Sequence, residues 1–237
     1  MRRIFTSALS LLLIGGAAFA ADMPLPQPAP LPAVPSWTGF HLGLNAGGAI
    51  GSSRSEFNLA GFQPPSFNTS LRGAIGGAEV GYDWQAGPLV LGLEADFELS
   101  GLRGSRTAPC VPPICGVLTA TYTQKVPWFG TLRPRIGYAA GSWLLYATGG
   151  YAYAQLDTDA TATVGPLVAT NNRSETRNGW TLGGGAEVEF APRWTAEIEY
   201  LYVDLGRSTT TFSVAPLISN TSRLNFNVIR SGVNFRF

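Results

Sequence analysis

The sequence contains few charged residues. Only 13% of its 237 residues are charged, about half of the share in an ordinary soluble domain, and Lys125 is the only lysine. The formal net charge of +1 provides no basic surface for a polyanion, so we do not expect nucleic acid as a partner. Because 45% of the residues are hydrophobic, the chain is not of the disordered type. This composition indicates an outer surface that contacts something other than water.

Residues suited to catalysis or metal binding are also scarce. His41 is the only histidine, there are two cysteines, and the serines have no obvious base partner. The run Gly183–Gly185 lies within a strand pattern and lacks the Lys-Ser/Thr continuation of a phosphate-binding loop. We therefore expect that the protein is not an enzyme and has no catalytic, cofactor-binding or metal-binding residues.

The N-terminal segment has the pattern of an export signal. Two arginines precede an uncharged apolar run from Ile4 to Ala20, which ends in a small-x-small pattern. We predict a signal peptide over residues 1–20 with cleavage between Ala20 and Ala21. A retained membrane helix is the alternative, but the run is short for a span and has no positive stop-transfer flank. Proline is frequent in residues 21–36, which predicts an extended periplasmic spacer before a barrel domain over residues 37–237.

From Trp37 onward the dominant pattern has a period of two residues, and it occurs in eight segments. In the clearest segment, 89–99, aliphatic residues alternate with acids and small residues. The fifth segment, 143–155, is apolar on both faces, so its inner face stays unassigned. No other apolar run is long enough for a membrane helix, and a chain that crosses a membrane with strands must close into a barrel. The pattern predicts an all-β fold, an eight-stranded antiparallel up-and-down transmembrane barrel.

The segments between these strands alternate in length. Three of them are hairpin turns, whereas the connections over 51–72, 100–124, 156–177 and 206–223 are long. Short periplasmic turns and long external loops are typical of outer-membrane barrels. The two chain ends would then lie on the periplasmic side.

Charged residues share one face of the strands. A charge on the lipid face at the bilayer midplane costs about 2–4 kcal/mol, so this face must point inward. Eight strands enclose a space just wide enough for side chains, which favours a structural ion-pair network over an ion path or a carboxylate pair for acid–base chemistry. The predicted lumen network comprises Glu79, Asp83, Glu94, Asp96, Glu98, Arg133, Arg135, Glu187, Glu189, Glu197, Glu199, Arg230 and Arg236.

The six tryptophans all fall at predicted strand ends, which indicates two aromatic girdles at the interfaces of a bilayer. A soluble lipocalin-like barrel would invert the two faces, and it does not explain this placement. The girdle residues at the short-turn ends are Trp37, Trp84, Trp143 and Trp194. Those at the long-loop ends are Trp128 and Trp180.

The two cysteines are expected to form a disulfide in the second external loop. Cys110 and Cys115 are separated by Val-Pro-Pro-Ile, whose prolines favour a turn that brings the thiols together. The expected compartment is oxidising. Free thiols, or a metal pair without further ligands, are the alternatives.

Four motifs occur in the order and spacing of a known family. They are Ser36–Gly43, Leu145–Gly150, Glu199–Gly206 and the terminal Val233–Phe237. Together with the proline-rich leader, they resemble the small alphaproteobacterial outer-membrane proteins of the RopB or outer-membrane immunogenic protein type, the "porin family" with an OmpA/OmpX-like barrel. His41 stands where that family usually has tyrosine, and the cysteine pair is not part of its pattern.

The resemblance implies an eight-stranded barrel in the outer membrane of a Gram-negative bacterium and no reaction. It also implies that Val233, Phe235 and Phe237 form the assembly signal read by the barrel-assembly machinery. The expected partners are outer-membrane lipid, lipopolysaccharide, and host or envelope proteins at the external loops, and we expect a monomer. The predicted function is structural, in envelope integrity and surface interaction, and the alternative is a narrow porin for ions or small solutes.

Overall fold

The computed structural model describes residues 36–59, 67–109, 118–164, 166–212 and 215–237. The predicted signal peptide, its cleavage site at Ala20 and Ala21, nearly all of the proline-rich spacer, and the cysteine pair Cys110 and Cys115 lie outside these residues. Eight strands account for almost all of the described chain. They are β1 (Gly39–Leu59), β2 (Phe67–Ala86), β3 (Leu89–Pro109), β4 (Leu118–Ala140), β5 (Trp143–Val164), β6 (Leu167–Ala191), β7 (Trp194–Phe212) and β8 (Ala215–Arg236).

The strands form one closed barrel in which each strand pairs antiparallel with its sequence neighbours. β1 closes the cylinder by pairing with β8, with Leu44 opposite Val233. The backbone N–H of Phe237 continues this pairing by donating to the carbonyl oxygen of Phe40 at 2.9 Å. Closure leaves no unpaired edge, so the backbone groups of the wall are satisfied within the sheet. This confirms the predicted eight-stranded antiparallel barrel.

Exposure alternates along the strands with the predicted period. On β3 the outward positions from Leu89 to Leu99 are mostly exposed and mostly aliphatic, while Glu94, Asp96 and Glu98 are buried inside. At about 3.3 Å per residue and a tilt of about 40°, this run covers roughly 25 Å, the height of a membrane-facing band. The inner face of β5, which the sequence left open, contains Leu144, Tyr146 and Thr148. No helix in the described residues is long and apolar enough to cross a membrane.

The strands continue well beyond the apolar band. They are 19 to 25 residues long, whereas a membrane strand needs about 9–11. Much of the four segments expected as long external loops is therefore ladder-paired strand that extends the wall outward. Threonine and serine occupy these extensions, as in the facing pairs Thr107–Thr121 and Thr209–Thr221, whose hydroxyls lie 3.0 Å apart. Such β-branched polar pairs sustain a ladder in water without an apolar face.

The short connections are two-residue turns that use left-handed backbone. Gly87 and Gly141 have φ of 63° in the β2–β3 and β4–β5 turns, and Arg193 has φ of 68° in the β6–β7 turn. Glycine adopts this conformation at little cost, whereas arginine does so only where the hairpin requires it. These turns lie at the same end of the barrel as the beginning of β1 and the end of β8.

Candidate functional site: the barrel lumen

Charged side chains from several strands fill the periplasmic half of the lumen. Of the thirteen residues predicted for the lumen network, twelve are buried, with 6% or less of each residue exposed. They comprise eight carboxyls and four guanidiniums. The exception is Glu189, which is half-buried and forms no ion pair with any described residue. Its inclusion was wrong, because it lies on β6 two residues before the strand ends at Ala191, where no described arginine pairs with it.

Two arginines connect opposite walls in the middle of the lumen. Arg133 on β4 contacts Glu94, lies 2.9 Å from Asp96 and reaches Glu199 on β7 at 2.8 Å. Arg230 on β8 contacts Glu98 on β3 and lies 2.6 Å from Glu199. These contacts span the cylinder rather than follow its wall. A buried guanidinium surrounded by carboxylates offsets part of the desolvation cost of each charge and holds distant strands in one arrangement.

A second charged cluster closes the periplasmic mouth. Arg135 contacts Asp83 and lies 3.4 Å from Glu187, while Arg236 lies 3.0 Å from Asp83 and 3.1 Å from Glu187. The guanidinium of Arg236 also stacks on the indole of Trp37, 4.6 Å from the ring centroid. Each carboxylate is thus shared by two guanidiniums, which suits the fork geometry of arginine.

The position of Trp37 corrects the prediction that it belongs to an aromatic girdle. Its side chain is 1% exposed and lies inside the mouth, because residues 36–38 precede β1 and are not part of the wall. The other tryptophans lie on the outer wall. Four are about half exposed, namely Trp84, Trp143, Trp180 and Trp194. Trp128 is more covered, since it stacks on Phe97 and donates from Nε1 to Gln155 at 3.0 Å.

The sequence reasoning missed several polar groups that complete the network. The Tyr146 ring lies 5.2 Å from the guanidinium carbon of Arg135, and its hydroxyl lies 3.3 Å from Glu199. Asn234 donates to Glu197 at 3.3 Å. Tyr146 is on β5, whose inner face could not be assigned from the sequence. Asn234 alternates with Phe235 on β8, so the alternation along β8 could have placed Asn234 in the lumen, but no such signal was available for Tyr146.

Above the charged half lies an apolar layer that the sequence analysis did not anticipate. The rings of Phe129 and Phe226 meet edge to face at 5.2 Å between centroids, and both side chains are buried. The layer has fifteen members: Ala49, Leu71, Ile75, Leu102, Val126, Phe129, Ala152, Ala154, Leu156, Leu201, Val203, Leu205, Leu224, Phe226 and Val228. The lumen is therefore a hydrophobic core at this height. An eight-stranded barrel has an interior just wide enough to be filled by side chains in this way.

Glycines on the inner face provide the space for these large side chains. A Cβ atom at Gly92 would lie 2.2 Å from Oδ1 of Asp83, and one at Gly77 would lie 2.5 Å from Oε2 of Glu98. Any larger residue at these positions would collide with the network. The charged cluster consequently depends on glycine as much as on the arginines.

The only histidine of the sequence lies among the carboxylates of the lumen. His41 is buried with Nδ1 3.5 Å from Asp83, and neither ring nitrogen has a hydrogen-bond partner among the described residues. Ligand atoms of His41, Glu79 and Glu94 lie within 4.8 Å of one another. Glu94 is, however, already held by Arg133, a cation that opposes a divalent ion at the same carboxylate. The triad is best described as part of the charge network.

The chain terminus lies on the outer wall. Phe237 is exposed, and its ring meets that of Phe235 edge to face at 5.1 Å, which in turn packs on Trp194. Val233 is also exposed on this face. Of the three residues predicted as the assembly signal, Phe235 and Phe237 thus form part of the lower aromatic rim, and Val233 lies on the same outer face.

Comparison with known proteins agrees with this architecture. A family model described as an outer membrane protein beta-barrel domain matches residues 7–237. The chain is 34% identical over 232 residues to the 31 kDa outer-membrane immunogenic protein of Brucella melitensis, covering 93% of this chain and 94% of that protein. It is 30% identical over 178 residues to the 22 kDa outer membrane protein of Rhizobium leguminosarum bv. viciae, covering 75% and 69%.

Among solved structures, the outer membrane protease OmpT from Escherichia coli superposes with a TM-score of 0.55 at 12% identity, covering 84% of this chain and 97% of that one. At this identity the likeness extends to the fold alone.

Proposed function

This chain belongs to the outer membrane β-barrel protein family, and from this premise we propose that it is a structural component of the envelope with a closed lumen and a surface-interaction role at its external end. The family places it in the outer membrane of a Gram-negative bacterium. One observation carries the proposal: buried side chains cross the lumen at two heights. Arg133 and Arg230 bridge opposite walls, and the apolar layer around Phe226 lies directly above them.

Each of the two layers opposes ion passage for a different reason. In the charged layer, opposite charges within a narrow interior pair with each other rather than solvate a passing ion. The fifteen side chains of the apolar layer are all hydrocarbon or aromatic and do not replace the hydration shell of an ion. A continuous aqueous path requires that both layers open.

The proposal also holds that the protein catalyses no reaction. The only histidine is enclosed in the lumen beside Asp83, where a Cβ atom at Gly81 would lie 2.5 Å from its ring. An imidazole packed this closely cannot reach a substrate in the membrane or outside the cell. We further propose that the barrel is monomeric and that the external end contacts lipopolysaccharide and host or envelope proteins.

Conductance of the purified protein in a planar lipid bilayer tests the closed lumen. We expect no stable porin-sized steps from the wild-type protein. The double variant Arg133→Ala/Phe226→Ala, which thins both layers, should conduct. The matched control Arg173→Ala/Phe97→Ala removes an exposed arginine and an outward phenylalanine, and it should remain silent.

A narrow porin is the second candidate, and the imbalance of charge in the lumen favours it. Eight buried carboxyls face four guanidiniums, so an open path would carry excess negative potential and select cations. Stable, cation-selective steps from the wild-type monomer would replace the structural proposal with this one.

A further inference from the structure

Three cations lie side by side on the outer wall of the barrel. Arg72 on β2 is directly opposite Arg103 on β3, and Arg103 is directly opposite Lys125 on β4. All three side chains are exposed. Like charges directly opposite each other destabilise a strand pair, so this row is unfavourable unless an anion lies between them.

Among the described residues, the protein supplies an anion for one of the three cations. Lys125 lies 3.0 Å from Asp159. It is also directly opposite Asp157, whose pKa is held below its usual range by hydrogen bonds with Ser174 and Gln155. Within the described chain, Arg72 and Arg103 have neither a hydrogen bond nor an ion pair. Two adjacent guanidiniums are therefore left uncompensated.

These guanidiniums stand at the external boundary of the apolar band. On β2, the outward positions below Arg72 are apolar down to Trp84, and the position above it is Ser70. On β3, Leu99 is the last outward apolar residue before Arg103. This is the height at which the headgroups of the external leaflet contact the wall.

A bulge adds Lys125 to the row. The register of β4 against β5 shifts between Lys125 and Phe129. Phe129 and Val126 both point inward, and Lys125 points outward in consequence. If β4 alternated regularly, Lys125 would lie four positions from Phe129, share its phase and face the lumen. The local irregularity thus orients a cation toward the membrane surface.

The outer wall has two surface depressions beside and below the arginines. Arg72, Arg103 and Lys125 line a depression of about 750 Å³, floored by Gly73 and Gly101. An apolar groove of about 680 Å³ runs from Arg72 past Gly48, Ile50 and Ile229. A Cβ atom at Gly48 would meet nothing closer than 3.9 Å, so this part of the wall lacks side-chain cover.

We propose that Arg72 and Arg103 bind a phosphate group of lipopolysaccharide in the external leaflet, with one of its acyl chains in the groove beside Gly48. Two guanidinium forks suit the tetrahedral oxygens of a phosphate. The depression accommodates the headgroup, and the groove accommodates hydrocarbon. This site rests on the proposed contact of the external end with lipopolysaccharide and names the residues that make it. It lies on the outside of the barrel, so it is independent of whether the lumen is closed or open.

Lipid binding by the refolded full chain in zwitterionic detergent micelles tests the headgroup contact. Diphosphoryl lipid A and the same lipid without phosphates serve as probes, and native mass spectrometry measures the dissociation constants. Each arginine should raise the affinity for diphosphoryl lipid A about fivefold, as expected for a basic residue at an anionic surface. The variant Arg72→Gln/Arg103→Gln should bind diphosphoryl lipid A about 25-fold more weakly than wild type. The control Arg173→Gln/Arg207→Gln makes the same charge change at other exposed positions, and its affinity should stay within about twofold of wild type.

A second variant tests the acyl chain without changing charge. Gly48→Leu fills the groove and should weaken lipid A binding, whereas Ala147→Leu on the outward face of β5 should not. Inorganic phosphate alone is the third probe and should not bind at millimolar concentration.

Three results would overturn the proposal. The first is equal binding of the phosphorylated and phosphate-free lipids. The second is an equal loss of affinity for diphosphoryl lipid A in the arginine variant and its control, and the third is arginine-dependent binding of inorganic phosphate as tight as that of lipid A. Heat-modifiable mobility on gels verifies that each variant is folded. Should the double variant fail to fold, the single variants Arg72→Gln and Arg103→Gln provide the same comparison against Arg207→Gln.

Discussion

The guanidinium of Arg236 lies over the indole of Trp37 and also donates to the carbonyl oxygen of that residue at 2.8 Å. Arg236 is the last residue of β8, and Trp37 precedes the first residue of β1. The contact therefore joins the two ends of the barrel domain at its periplasmic mouth. A buried cation–π contact adds to the ion pairs that Arg236 makes with Asp83 and Glu187.

Replacing Trp37 by alanine should lower the free energy of unfolding by about 3–5 kcal/mol, because it leaves a large cavity at a fully buried site. Trp37→Phe should lower the free energy of unfolding by less than about half of this amount, because the guanidinium of Arg236 can still stack on its ring. Denaturant unfolding of the refolded protein in micelles, followed by tryptophan fluorescence and gel mobility, measures both. Equal stability of wild type and Trp37→Ala would show that the mouth is not held by this contact.

The apolar layer predicts a similar sensitivity at Phe226. Phe226→Ala should lower the free energy of unfolding by about 3–5 kcal/mol, because the contact with Phe129 is lost and a cavity remains. Phe226→Leu conserves most of the volume and should cost less than about 1.5 kcal/mol. The same unfolding measurement applies. If both variants lost the same small amount, the interior at this height would not be tightly packed.

The cysteine pair remains a prediction from the sequence. Cys110 and Cys115 should be joined in exported protein, so a maleimide should label neither thiol after denaturation without reductant. Treatment with reductant beforehand is the control and should expose two thiols. Reduction should leave the heat-modifiable barrel intact, because the strand ladder closes without this loop. Labelling of both thiols in the unreduced sample would refute the disulfide.

Deletion of Phe237 should reduce the amount of folded barrel in the outer membrane and increase its degradation in the periplasm. The residue is exposed on the outer wall and packs only at the rim, so we expect the stability of protein refolded in vitro to change little. Phe237→Trp retains an outward aromatic and serves as the control. Wild-type levels of heat-modifiable barrel in the deletion strain would argue against an assembly role for this side chain.

The in-and-out pattern of the strands could be predicted from the sequence because side chains of a strand alternate strictly between faces. Lipid excludes charge from one of these faces. The acids at 94, 96 and 98 and the arginines at 133 and 135 were assigned to the lumen on that basis, and they are buried there. The short turns followed in the same way from glycine and proline between alternating segments.

Other features required the tertiary structure, because cross-strand neighbours depend on register and bulges rather than on spacing along the chain. Trp37 fits the spacing of a girdle residue, but the backbone before β1 turns it into the mouth. Lys125 joins Arg72 and Arg103 only because a bulge changes the phase of β4. The contact of Phe129 with Phe226 joins strands distant in sequence. Alternation determined which face each residue takes, and closure of the barrel determined which residues meet.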